Sequence, residues 1–100
     1  MGALRPGVCA KDVMLHVLSQ EFFKSGKGIG KVLEFAGDGL ARLPLDARAT
    51  LTNMAVEAGG FTGIIEADEG VVDCLVAQRG LRAEDVRAWI VKADPGASYL

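Results

Sequence analysis

Residues 25–35 read SGKGIGKVLEF, running from Ser25 to Phe35. Gly26, Gly28 and Gly30 stand with Lys27 and Lys31 within six residues, a composition suited to a loop that cradles phosphate. The fold turns on what flanks that loop. Phosphate loops follow a strand and open a helix, so that backbone N–H groups and the helix dipole converge on the anion. Here the residues before the loop are helical in pattern, and KVLEF (31–35) after it has the apolar, partly β-branched character of a short strand. The motif spacing also fails. A Walker pattern ending at Gly30-Lys31 needs glycine at Ser25 and a hydroxyl residue at Val32. A dinucleotide fingerprint beginning at Gly26 needs glycine at Lys31. We read the stretch as a flexible turn leading into a strand.

Outward from that point the chain alternates. CAKDVMLHVLSQ (9–20) is predicted as an amphipathic helix with Val13, Met14, Val17 and Leu18 on its apolar stripe and Asp12 in its first turn. GDGLARL forms a helical turn closed by Pro44. LDARATLTNMAVEAGG (45–60) is the clearest helix, started by Asp46 and stopped by Gly59-Gly60. FTGIIEA (61–67) is a second strand with Gly63 as its weak point. Asp68 caps a helix over EGVVDCLVAQR that stops at Gly80, AEDVRAWIV (83–91) is a last helix, and KADPGASYL is a loop. Short buried strands between helices predict an α/β fold with a short parallel sheet. Two strands do not complete a sheet, so the 100 residues are expected to be a single α/β segment of a larger domain.

Composition agrees with a shared core. Half the residues are hydrophobic and the mean hydropathy is +0.27, rich for a chain this short. A net charge of −2 with interleaved signs offers no basic stripe for nucleic acid. No apolar run is long enough to span a membrane, and MGALRPGV has no hydrophobic h-region, so no signal peptide is expected. Cys9 and Cys74 form no C-x-x-C and no disulfide framework, and with the single histidine, His16, they make no ordinary metal site. His16 reads as structural. Glu66, Asp68 and Glu69 read as capping and dipole residues, and Glu84 and Asp85 as first-turn acids. Asn53 and Glu57, spaced i, i+4 beside the small Ala49 and Thr50, would project from one helical face. On spacing alone, a solvent-exposed face explains them.

Three segments together resemble the aconitase superfamily, and most of all the large subunits of 3-isopropylmalate dehydratase and homoaconitase-like enzymes. They are GVCAKDVMLHVL, GKVLEFAGDGLARLPLDARATLTNMAVEAGG and DPGASY, and the resemblance runs from Gly7 to Tyr99. It implies a partial three-layer α/β/α subdomain of a cytoplasmic hydro-lyase of amino-acid biosynthesis, which removes and re-adds water on a hydroxy di- or tricarboxylic acid. It also implies a [4Fe–4S] cluster in the full-length enzyme, held by three cysteines that have no counterpart here, and a small swivelling subunit or domain as partner. By the same resemblance the N-M-x-x-E motif matches Asn53 and Glu57, with Glu57 near the iron-bound water or hydroxyl and Asn53 lining the pocket. The segment alone is expected to be inactive and to bind no cluster. Departures such as Cys9 in place of threonine, and Leu45-Asp46-Ala47-Arg48 in place of M-E-G-R, mark a divergent subgroup. The competing reading is a non-catalytic α/β interaction or oligomerisation module.

Overall fold

The computed structural model describes residues 3–100 and divides into two compact units, the first ending at Glu66 and the second running from Ala67 to Leu100. Each is taken by itself. The first holds helix α1 (Ala10–Leu18), a one-turn helix α2 (Glu21–Lys24), strand β1 (Val32–Phe35), a 3₁₀ turn (Asp38–Arg42), helix α3 (Leu45–Asn53) and strand β2 (Thr62–Ile65). The strands are parallel, with Val32 opposite Thr62 and Phe35 opposite Ile65. Helix α3 is thus the crossover of a β-α-β unit, which is the parallel α/β arrangement that the alternating pattern predicts.

Side chains alternate across both strands. Leu33, Phe35, Gly63 and Ile65 are half-buried, whereas Val32, Glu34, Thr62 and Ile64 are exposed. Helix α3 packs against both strands, and α1 packs against α3. The buried cluster is Ala10, Met14, Leu40 and Leu51, with Phe35, Ile65 and Met54 packed around it. Met14 is 0% exposed and Leu51 2%, so each contributes roughly 1.5–3 kcal/mol through burial.

Helix α1 starts at Cys9, where the Asp12 carboxylate accepts from the Cys9 backbone N–H (2.9 Å) and from its thiol (3.1 Å). Those bonds hold the Asp12 carboxyl below the usual carboxylate range, the backbone one most of all. The helix ends at Leu18, two residues before the predicted limit. The Ser19 hydroxyl and the Gln20 amide both donate to the His16 carbonyl there, capping the last turn and releasing the chain into α2.

In the second unit helix α4 (Glu69–Arg79) and helix α5 (Ala83–Trp89) pack together, with Val72 and Val86 buried. The local signals hold here. Asp68 is the N-cap of α4, accepting from the Val71 N–H at 3.4 Å, and Gly80 closes the helix with φ +64°. The Glu69 carboxylate takes a two-pronged bond from the Arg87 guanidinium at 3.0–3.2 Å, tying α4 to α5 and holding Glu69 below the usual carboxylate range. Residues 90–100 form no helix or strand.

Candidate active site

The glycine stretch is not built to receive an anion. The amides of Ser25, Gly26, Lys27, Ile29, Gly30 and Lys31 all donate to backbone carbonyls, so they do not converge on an open site. Nor is the stretch a free turn. Gly30 N–H donates to the Gly59 carbonyl at 3.0 Å and Phe61 N–H to the Lys31 carbonyl at 2.7 Å, extending the strand pairing ahead of β1 and β2.

The same region corrects the predicted 45–60 helix. Helix α3 stops at Asn53, and residues 54–59 continue as tight turns. Ala55 N–H donates to Thr52, Ala58 to Ala55 and Gly59 to Val56, each an i to i−3 bond. Asn53 and Glu57 therefore do not share a continuous α-helix. A turn of three residues winds differently from one of 3.6, so the spacing no longer guarantees a shared face. Asn53 is the last helical residue and Glu57 stands within the turns; both are exposed. Among the described residues neither side chain makes a hydrogen bond or an ion pair. Because the turn precedes β2, the pair belongs to the end of the sheet where the strands begin, whereas open α/β sheets commonly bind ligands at the other end.

Several other candidates resolve into structural roles. Asp68 caps α4 and Glu69 pairs with Arg87. His16 is exposed on α1, its Nε2 lying 3.3 Å from the Gln20 amide nitrogen. An apolar cavity of about 380 Å³ is lined by Leu4, Val8, Val13, Leu43, Ala47 and Leu51, without Asn53 or Glu57. Arg48 is the residue that sequence reasoning passed over. It is 3% exposed, and its Nε donates to the Leu43 carbonyl at 3.0 Å, fastening the segment that leads into α3. The signal was its spacing: positions 48, 51 and 55 form the inward stripe of α3 and its extension, with Leu51 and Ala55 also buried.

No group of three His, Cys, Asp or Glu among the described residues could hold a metal ion. Cys9 is exposed with its thiol on Asp12, and Cys74 is half-buried on α4. A cluster needing three thiolates does not fit this chain's two cysteines.

Comparison with known proteins adds two findings. The sequence model of the Aconitase family (aconitate hydratase) matches residues 1–100. The chain is 33% identical over 104 residues to the 3-isopropylmalate dehydratase large subunit of Corynebacterium glutamicum (strain R), an alignment covering 98% of this chain and 21% of that relative. The chain thus spans about a fifth of the length of the curated relative it matches.

Proposed function

The chain belongs to the aconitase family, and from that premise we propose that it is a segment of a hydro-lyase acting on a hydroxy di- or tricarboxylic acid. Asn53 and Glu57 are its contribution to the active site. One observation carries the assignment: the N-M-x-x-E residues stand on a backbone-pinned turn, exposed and with no protein partner among the described residues.

The chemistry asked of each is modest. Dehydration removes a hydroxyl from one carbon and a proton from its neighbour, and rehydration reverses both. A carboxylate on a fixed turn can take a hydrogen bond from the departing or arriving water and hold the proton while charge moves. An amide donates to a substrate carboxylate or hydroxyl oxygen and accepts no proton, so Asn53 orients while Glu57 exchanges. The [4Fe–4S] cluster expected in the family would be held by cysteines outside these residues and would supply a Lewis acid for the departing hydroxyl. The matched relative is described as a large subunit, which supports a small subunit as partner and the remaining large-subunit polypeptide as the rest of the pocket. The segment by itself should not turn over substrate.

Glu57→Gln in the full-length protein, assayed with 3-isopropylmalate and with citrate, should lower kcat roughly 10²–10⁴-fold while the melting temperature stays put. A variant that keeps the parent rate overturns the assignment. The interaction-module reading draws support from the exposure of Phe61 (84%), Val91 (84%) and Ile29 (71%). It requires a full-length protein that self-associates on sedimentation and holds no iron or sulfide, and dehydratase activity removes it.

A further inference from the structure

Several glycines surround the segment that carries Asn53 and Glu57, each at a distance that leaves no room for a side chain. A carbon added at Gly63 on β2 would lie 2.9 Å from the Thr52 Cα and carbonyl oxygen and 3.0 Å from the Ala55 Cβ. At Gly60 it would lie 2.9 Å from the Ala55 carbonyl oxygen, and at Gly28 2.9 Å from the Ala58 carbonyl oxygen and 2.8 Å from the Phe23 ring. Most of these neighbours are main-chain atoms, which cannot rotate away as a side chain can. The three contacts touch Thr52, Ala55 and Ala58, one residue before Asn53 and on either side of Glu57.

We infer that Gly28, Gly60 and Gly63 are positioning residues for Glu57. They let β2 and the loop ahead of β1 press directly on the backbone of the turn, so that the main chain on either side of Glu57 is held in place. A methyl group at any of them must displace the turn. This rests on the reading of Glu57 as the proton-exchanging group, and it gives the lysine–glycine loop a task other than phosphate binding. Gly63, expected to be the weak point of its strand, is on this view the place where the strand sets the site.

A displacement of about an ångström at a catalytic group can cost on the order of a hundredfold in rate. The test uses the full-length protein assayed with 3-isopropylmalate. Gly63→Ala, Gly60→Ala and Gly28→Ala are each expected to lower kcat roughly ten- to a hundredfold. KM should change little, and the acidic limb of the pH–rate profile should move. Gly80→Ala is the control, since Gly80 has φ +64° and no neighbour within 4 Å of an added carbon; it should lower the melting temperature and leave kcat alone. Should Gly63→Ala fail to accumulate, Gly28→Ala combined with Phe23→Leu relieves the ring contact and keeps the push on Ala58. Glycine variants that melt lower but retain kcat and the pH profile overturn the inference, provided that Glu57→Gln is inactive in the same assay. If Glu57→Gln is active, the reading beneath it falls first.

Discussion

In the unit ending at Glu66, Gly28, Gly60 and Gly63 stand where an added carbon would meet neighbouring main-chain atoms at 2.9 Å, and Met14 and Leu51 are buried in the core. In the unit from Ala67 onward the prominent link between its two helices is a salt bridge between exposed side chains, Glu69 and Arg87, with Val72 and Val86 the buried residues. The first kind of contact admits few alternatives, because moving one backbone moves another. The second is made by flexible side chains in water, where most of the attraction is offset by solvation and lost freedom. Asn53 and Glu57 are carried by the first kind of scaffold, which is what the proposed role would require of them.

That contrast can be broken or sharpened by substitution. The largest effect on stability is expected from Met14→Ala or Leu51→Ala, each costing about 2–5 kcal/mol through lost burial and the cavity left behind, as measured by denaturant unfolding. A smaller loss, about 1–2 kcal/mol, is expected for Gly80→Ala, which forces a side chain into the left-handed region. Were Gly80→Ala the costlier change, the ranking of the two units would be wrong.

The smallest effect is expected for Glu69→Gln, and its size depends on pH. Arg87 holds the folded-state carboxyl of Glu69 below its ordinary value, so the unfolded chain takes up the proton first. The pair's contribution is therefore complete at neutral pH and is lost as pH falls through the ordinary carboxylate range towards the lowered value. The melting temperatures of variant and parent should differ slightly at pH 7 and converge in acid, and about 1 M salt at pH 7 should also close the gap. A difference that persists in acid would show that Glu69 acts through packing instead.

The second unit was the more legible in sequence for the same reason that it is the less constrained. Its helix boundaries are set by residues next to them, Asp68 before α4 and Gly80 after it, and such signals can be read from a single strand of text. Both strands and the 3₁₀ turn before Pro44 were legible too, as short apolar runs between breakers. The end of α3 was not. Good helix formers run on to Ala58, but the chain tightens after Asn53, where β2 comes within touching distance of Thr52 and Ala55 through Gly63. That contact joins residues far apart in sequence, so no local rule could supply it. The same holds for Arg48, whose burial depends on what closes over the inward stripe of α3. Of the candidate site, the residue identities came from a motif, whereas their support on a glycine-bounded turn came only from the fold.

The outward face of the sheet has a bearing on handling the protein. Val32 and Ile64 lie open to solvent there, with Glu34 paired in register against Ile64, and among the described residues each strand of the two-stranded sheet pairs on one side only. Such an edge is a template on which any extended polypeptide can add itself, strand by strand. Preparations of these 100 residues alone would be prone to fibrillar clumping. Glu34 is the charge that opposes it, and removing that charge should make the clumping faster and less dependent on salt.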